Sequence, residues 1–390
     1  MPQNSFTETT SQSWISRLGG SIKSILFGLA LLIGSIILLW YNEGRAVKTH
    51  QGLQEGGSSV LSVASKSINP ENNGKLIHVT GSVVTSDSLV DEKFGVKVNA
   101  LKLKRTVEMF QWVEEQEETR RKKIGGGEET VTTYKYVQQW HPSVVKSNTF
   151  KEPYGHQNPA QLPYAAYSKS ATNVNLDKFI IPKGILSQIN SFDPYSIEEL
   201  DTSRIKNATL INDGVKTVIY IGEGSNTSPQ LGDIRLSFDI VPPNDYSIIA
   251  KQFNNTFEPF TTSNGTKLQM VDVGNVSAET MFESAIQSNK TLTWILRLIG
   301  IILMFAAFKT ILKPLVIVGD LIPFIGSIVG FGTGLASGLA TVALAFTVIG
   351  LAWIFYRPIL GISLLLVAIG VFFIFWKRKQ NKKKASTPTT

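Results

Sequence analysis

Long apolar stretches mark both ends of the chain, and a region of mixed polarity separates them. Residues Ile22–Tyr41 form an apolar run of 20 positions with one charge, Lys23. Because a helix needs about 20 apolar residues to cross a bilayer, the run predicts a first transmembrane helix at 22–41, after an N-terminal segment at 1–21. A cleaved signal peptide is the competing interpretation, but its apolar core is shorter, and the residues after Trp40 lack a small-residue cleavage signature.

A second group of apolar stretches predicts transmembrane helices at 291–313, 321–356 and 358–376, followed by a basic tail at 377–390. The middle stretch, 321–356, contains no charge. As one straight helix of 36 residues it is about 54 Å long, which exceeds the bilayer core. It therefore forms either two spans, or one tilted span with a re-entrant or interfacial start around Pro323 and Gly326.

Positive charge predicts the orientation and the number of spans. Arg17 and Lys23 flank the first apolar run, and six Lys and Arg residues follow the last one. The positive-inside rule places both termini in the cytoplasm, which requires an even number of spans and therefore favours four. The region between the first two spans, 42–290, is then extracytoplasmic, meaning periplasmic or lumenal.

A few charged residues fall within or beside the predicted spans. For Arg297 and Lys309, near the two ends of the second span, we favour side chains that reach the headgroup region over a functional role. Asp320 opens the longest uncharged run, close to Lys309 and Lys313. It is interpreted as a helix N-cap or an ion pair, and a proton or ion relay is the alternative.

Glycine recurs every four residues in the third predicted span, at Gly326, Gly330, Gly334 and Gly338. Small residues at this spacing allow helix backbones to approach closely in lipid, where van der Waals contact holds helices together. The glycines serve either packing between spans of one chain or self-association between chains, and the motif alone does not distinguish these uses.

The middle region has the periodicity of a folded domain that is rich in antiparallel strands. Alternation of apolar and polar residues is clearest at 233–240 and weaker at 75–85, 96–103, 105–115, 131–140 and 215–222. Helical periodicity is confined to 184–200 and 277–290, the latter with Ser277 as its N-cap. The charged, glycine-rich segment 114–129 is predicted to be a mobile hairpin tip. The predicted fold class is a membrane protein with four transmembrane α-helices and a large extracytoplasmic α+β domain.

Composition excludes several classes of function. The net charge of +8 is concentrated in the tail, because residues 44–290 contain 26 Lys and Arg against 27 Asp and Glu. A nucleic-acid partner is therefore not expected. The chain contains no cysteine, its four histidines are far apart, and it lacks the G-x-S-x-G and P-loop motifs. We expect neither an enzyme nor a cofactor or metal site.

Several short motifs distributed along the chain resemble one known family. They are Asn42-Glu43-Gly44-Arg45-Ala46 after the first span, the segment around Glu108, Gln111 and Trp112, and Trp353-Ile354-Phe355-Tyr356-Arg357-Pro358 before the last span. With further matching segments at 70–74, 155–159 and 232–238, they resemble the transmembrane protein 43 (LUMA) family over almost the whole chain.

The resemblance implies a four-span protein with a lumenal domain and no enzymatic activity. Animal members reside in the endoplasmic reticulum and inner nuclear membrane, self-associate, and bind lamins and emerin, partners that are expected only if this chain is an animal member. The predicted location is the bacterial inner membrane, or the endoplasmic reticulum and inner nuclear membrane in a eukaryote. We therefore expect a homo-oligomeric scaffold that engages membrane lipids and other membrane proteins. The alternative is a transporter or channel component that uses the glycine-rich third span.

Overall fold

A computed structural model describes residues 4–197, 205, 207–212, 214, 216–359, 361–363 and 366. Contacts among them divide the chain into two compact units. We call them the sheet unit, which contains Met1–Thr10, Gly52–Arg120 and Thr130–Glu283, and the helical unit, which contains Ser11–Gln51, Arg121–Glu129 and Ser284–Thr390. This division differs from the predicted domain boundary at 42–290, because residues 42–51, 121–129 and 284–290 belong to the helical unit.

Three helices within the described ranges are long and apolar enough to cross a membrane. They are α1 (Trp14–Ser59), α3 (Ala278–Ile311) and α5 (Pro323–Tyr356). The short helices are α2 (Lys183–Leu186) and α4 (Lys313–Gly319). The predicted fourth span at 358–376 lies mostly outside the described residues, as does the tail at 377–390. Helical backbone resumes at residues 358–359 and 361–363 after a break at Arg357.

The glycine-rich third span is one continuous helix in the structure, which corresponds to the single-span alternative. Helix α5 contains 34 residues, which corresponds to a length of about 51 Å. It begins at Pro323, whose fixed φ and missing N–H suit the first position of a helix. The short helix α4 precedes it and connects it to α3.

The helical unit is held together by close packing of its three long helices. Leu39 of α1, Met304 of α3, and Ala345 and Val348 of α5 form a buried apolar cluster. A Cβ on Gly300 of α3 would lie 2.6 Å from the Leu39 side chain, so a larger residue does not fit there. Elsewhere large apolar side chains point outward along these helices, which is typical of surfaces that face lipid.

Among the described residues of the sheet unit, eight strands form one large sheet. Six of them follow the order β1-β7-β6-β14-β13-β12, and the other two pair at the side, β11 with β14 and β8 with β6. The last two residues of β1 and the tip of the β6–β7 hairpin belong to the helical unit. The strands are β1 (Ser5–Gln12), β6 (Lys102–Lys122), β7 (Glu128–His141), β8 (Tyr167–Ser170), β11 (Asp193–Tyr195), β12 (Ala208–Asn212), β13 (Thr217–Ile221) and β14 (Ile234–Val241).

A second sheet closes on itself. In the part of the chain that the structure describes, its order is β19-β15-β16-β10-β9-β3-β2, and β15 also pairs with β3, which closes a ring of five strands. Its strands are β2 (Leu61–Ala64), β3 (Leu76–Thr85), β9 (Val174–Leu176), β10 (Phe179–Ile180), β15 (Asn244–Phe253), β16 (Thr256–Glu258) and β19 (Met270–Val273). Two small hairpins complete the unit: β4 (Leu89–Asp91) with β5 (Val96–Val98), and β17 (Phe260–Thr261) with β18 (Lys267–Leu268).

One apolar core lies between the two large sheets. Val107 of β6 and Phe238 of β14 contribute from the first sheet, and Val79 of β3 and Ile248 of β15 contribute from the second. The strand ranges confirm the strands predicted at 75–85, 105–115, 131–140, 215–222 and 233–240. At 96–103 the structure has only the short strand Val96–Val98 and the start of β6.

The two predicted helical segments of the domain have different outcomes. At 277–290, α3 begins one residue after Ser277, whose hydroxyl oxygen accepts a hydrogen bond from the backbone N–H of Thr280 at 3.2 Å. This confirms the predicted N-cap. At 184–200 the prediction is wrong over the described part, because only residues 184–186 of α2 are helical and Asp193–Tyr195 form strand β11.

The N-terminal strand β1 pairs with β7. Within the sheet unit, the Thr7 and Thr133 hydroxyl oxygens are 3.5 Å apart, and the Lys151 amino group forms an ion pair with Glu8. Strands that share backbone hydrogen bonds lie on one side of a bilayer, since an open sheet edge is not tolerated in lipid. The placement of residues 1–21 and 42–290 on opposite sides of the membrane stays a prediction, and a pairing of β1 with β7 is not expected from it.

The charged segment 114–129 is ordered by partners, in contrast to the predicted mobile tip. Strands β6 and β7 extend to Lys122 and from Glu128, so that only a five-residue turn remains. Gly126 in this turn has a φ of +76° and lies against the Trp14 ring. Arg17 donates a hydrogen bond to the Gly126 carbonyl, and Lys122 donates one to Asp320, so polar contacts within the helical unit also hold the tip.

Candidate functional site

A buried ion pair lies among the three long helices. Glu43 of α1 is fully buried, and its carboxylate accepts hydrogen bonds from Arg297 of α3 at 2.6 and 2.8 Å. The indole N–H of Trp353 of α5 donates to the same carboxylate at 2.8 Å. Both carboxylate oxygens therefore accept hydrogen bonds, as a charge taken out of water requires. Arg297, which we expected to reach the headgroup region, is thus paired with a buried carboxylate, and its position relative to the headgroups stays a prediction.

Amide and hydroxyl groups extend the ion pair into a hydrogen-bond network between α1 and α3. The Asn42 side-chain N–H donates to the Thr293 carbonyl at 3.0 Å, and Asn289 donates to the Ala46 carbonyl at 2.9 Å. The Arg45 guanidinium donates to the Asn289 side chain at 2.8 Å and to the Thr293 hydroxyl at 3.0 Å. These contacts fix the register of α1 against α3.

Gly44, which follows Glu43 in α1, is required for close packing of α1 against α5. A Cβ at this position would lie 2.6 Å from the Tyr356 ring of α5. Asn42, Glu43, Gly44 and Arg45, which sequence reasoning selected only as a motif, thus each have a separate packing or hydrogen-bonding role against α3 or α5.

Beside the ion pair, one face of each helix lines a cavity of about 320 Å³. On each helix the lining residues recur three or four positions apart, which places them on one face. They are Ala46 and His50 from α1, Asn289, Lys290, Thr293, Trp294 and Arg297 from α3, and Trp353 with Arg357 from the end of α5. Arg357, a residue of the predicted motif, thus lies at this site, while Pro358 begins the next helical segment.

The other motif residues belong to the sheet unit and stabilise its strands and loops. Glu108 pairs with Arg235 across strands at 2.6 Å. The buried Gln111 side chain donates to the Ser143 carbonyl at 2.7 Å and accepts from a backbone N–H of the following loop. Trp112 exchanges two backbone hydrogen bonds with the Asn158 side chain. These contacts indicate structural roles.

Asp320 forms a second buried charge cluster in the helical unit. It is fully buried at the end of α4, and its carboxylate accepts from Arg17 at 2.8 Å and from Lys122 at 2.6 Å. The Trp14 indole N–H donates to the Ile317 carbonyl close by, at 2.6 Å. The ion-pair interpretation is confirmed, but the partners are not the predicted Lys309 and Lys313.

The four glycines of α5 have different surroundings. A Cβ on Gly326 would clash with Asp320, so this glycine is needed within the chain. Gly330 and Gly338 meet single side-chain atoms of Val316 and Phe305, at 3.7 and 4.0 Å. Gly334 has no described heavy atom within 4 Å of such a Cβ. Of these four glycines, Gly326 therefore packs within the chain, and the other three lie on a more open face of α5.

Sequence reasoning missed the contribution of α3 to the site. Lys290, Thr293, Trp294 and Arg297 follow the i, i+3, i+4, i+7 spacing of one helix face. This stripe at the start of an apolar helix was the sequence signal that could have indicated the site. For metals, the described residues contain no group of three or more His, Cys, Asp or Glu side chains that could hold an ion.

Comparison with known proteins identifies the family. The family model described as transmembrane protein 43 matches residues 109–358. Human transmembrane protein 43 is 30% identical over 388 residues, which cover 96% of this chain and 95% of the human protein. The transmembrane protein 43 homolog of Drosophila melanogaster is 28% identical over 359 residues, 90% of this chain and 93% of its own. No solved structure matches the chain significantly. The chain, whose family motif forms the buried Glu43 cluster, therefore belongs to the transmembrane protein 43 family.

Proposed function

We propose that this protein is a membrane scaffold that self-associates through α5 and presents the sheet unit to other membrane proteins or lipids. The observation that carries the proposal is the open helix face at Gly334, since the chain itself places no described atom there. Phe331, Leu335 and Leu339 beside it are exposed. A helix of a second copy can approach the Gly334 backbone closely and pack against these side chains.

The buried polar groups of the helical unit also favour a structural role. Asn42, Glu43, Asn289 and Thr293 bond to one another or to nearby arginines and carbonyls. A transport pathway needs polar groups that are free to contact a solute, so these pairings support packing. The transporter alternative has no specific observation in its favour. The proposed absence of enzymatic activity agrees with a family that is named without one.

The extracytoplasmic location of the domain is part of the proposal and rests on the positive-inside rule. The proposed compartments are the endoplasmic reticulum and inner nuclear membrane, or the bacterial inner membrane. The pairing of β1 with β7 argues against a cytoplasmic location for residues 4–10 if the domain lies outside.

The size of the protein in detergent, measured for wild type and for Gly334→Leu, tests self-association. We expect a wild-type oligomer and a shift of Gly334→Leu toward the monomer, because leucine prevents the close approach of a second helix. Gly350→Leu is the matched control: it lies on the same helix, has no described atom within 4 Å, and is 16 residues away, which is about 160° around the helix.

The control is expected to keep the wild-type size. A monomeric wild type, or an oligomer that Gly334→Leu leaves unchanged, would show that α5 does not mediate assembly. Circular dichroism of both variants confirms that the helices are retained.

A further inference from the structure

The cavity beside the Glu43–Arg297 pair has an excess of positive charge. His50, Lys290, Arg297 and Arg357 line it, and its lining contains no carboxylate. Glu43 does not line the cavity, and it forms its ion pair with Arg297. Neither Lys290 nor Arg357 forms a side-chain hydrogen bond or ion pair with any described residue. Two cations of the lining therefore have no counter-charge in this part of the chain.

The position of the cavity in the helical unit corresponds to the membrane interface. It lies where the apolar run of α1 has ended, where that of α3 begins, and where α5 ends. Two tryptophans line it, Trp294 and Trp353, and tryptophan is enriched at the headgroup level of membranes. Just beyond, Ile295 and Leu298 of α3 are exposed and offer an apolar surface for acyl chains.

We propose that this cavity binds the phosphate of an anionic phospholipid headgroup, with Lys290 and Arg357 as the residues that contact it. The cavity volume of about 320 Å³ is at the lower end of the range for ligand pockets. Guanidinium and ammonium groups form charge-assisted hydrogen bonds with phosphate oxygens, and these are about twice as strong as neutral ones. Basic pockets between transmembrane helices on the cytoplasmic side of membranes bind acidic headgroups through such contacts.

Each neighbouring group has a defined part in this arrangement. The Glu43 carboxylate holds Arg297 in place, so Arg297 contributes a fixed positive charge at the wall of the cavity. The Trp294 ring lies 4.6 Å from the Arg297 guanidinium and covers its other face. Lys290 and Arg357 remain free to reach the ligand. The inference does not depend on self-association through α5.

The test measures lipid binding by the purified full-length protein, using native mass spectrometry in detergent. Phosphatidylglycerol and phosphatidylcholine are added separately, and inorganic phosphate is the third probe. We expect wild type to bind phosphatidylglycerol at least about ten-fold more tightly than phosphatidylcholine, because only the former has an uncompensated phosphate charge.

Lys290→Gln with Arg357→Gln is expected to remove this preference. Lys309→Gln with Lys313→Gln is the matched control, since it removes the same charge near the other end of α3 and is expected to keep the preference. The replaced Lys290 and Arg357 side chains form no hydrogen bond or ion pair with a described residue, and unchanged melting temperatures confirm that the variants fold.

Equal binding of both lipids by wild type would overturn the proposal, and so would a preference that survives in the Lys290→Gln/Arg357→Gln variant. Inorganic phosphate that competes as effectively as phosphatidylglycerol would also overturn it, because the site would then bind a soluble phosphate and not a lipid.

Discussion

Glu43 and Arg297 form a buried ion pair, and such pairs respond differently to the loss of one partner and of both. Glu43 is fully buried and the Arg297 side chain is 11% exposed. Glu43→Gln leaves the guanidinium without its counter-charge, so we expect the free energy of unfolding to fall by about 3–5 kcal/mol. Unfolding in denaturant, with the protein in detergent, measures the change.

The double variant Glu43→Gln with Arg297→Met is the informative comparison. It removes both charges, so we expect it to be more stable than Glu43→Gln alone. If the loss of stability in the double variant equals the sum of the losses in Glu43→Gln and Arg297→Met, the two side chains do not interact.

His78 in strand β3 predicts a pH dependence of the sheet unit. Burial lowers the pKa of His78 below its ordinary value, while a hydrogen bond to the Val276 carbonyl partly opposes this. The folded protein therefore binds a proton less readily than the unfolded chain. The stability contributed by neutral His78 is present above about pH 6.5, the unfolded pKa, and is lost as the pH falls toward the folded value.

Melting temperatures of wild type and His78→Gln at pH 7.5 and pH 5.5 test this effect. Glutamine can donate to the Val276 carbonyl but does not titrate, so the decrease between the two pH values should be smaller in the variant. An identical decrease in both proteins would assign the pH dependence to other groups.

At the scale of elements, strand β1 gives a prediction that the absence of native cysteine makes easy to test. Thr7 and Thr133 are neighbours on β1 and β7, with hydroxyl oxygens 3.5 Å apart. We expect Thr7→Cys with Thr133→Cys to form a disulfide when isolated membranes are oxidised. Non-reducing electrophoresis after limited proteolysis detects it.

Thr7→Cys with Thr209→Cys is the control, because β12 lies five strands from β1 in the sheet, about 24 Å away at the usual strand spacing. A disulfide in the first pair only would place residues 4–10 and the sheet on the same side of the membrane. No disulfide in either pair would instead favour the charge-based placement on opposite sides.

Elements with a strong periodic signal could be predicted from the sequence. The alternation at 233–240 predicted β14, and the uncharged runs predicted the apolar parts of α1, α3 and α5. The helix expected at 184–200 fails because short apolar runs fit either period. In the structure, Pro194 lies in β11, where the sheet supplies hydrogen bonds that sequence periodicity does not reveal.

At the scale of the whole molecule, the sequence could predict which residues form the motif but not what they contact. Glu43 and Arg297 are 254 positions apart, and Lys122 and Asp320 are 198 apart. Lys309 and Lys313 were the expected partners of Asp320 because they are near in sequence. Long-range pairing depends on how α1, α3, α5 and the hairpin tip pack, which one chain without an alignment does not specify.

The buried Glu43 cluster also has a consequence for biogenesis. A ribosome completes α1 long before it makes Arg297 and Trp353, yet a lone carboxylate is costly to bury in hydrocarbon. Until those partners emerge, Glu43 must stay with water at the end of its span. Final docking of the first helix is therefore a late step of synthesis, so a nascent chain that stops before α3 holds its only finished span in an immature position.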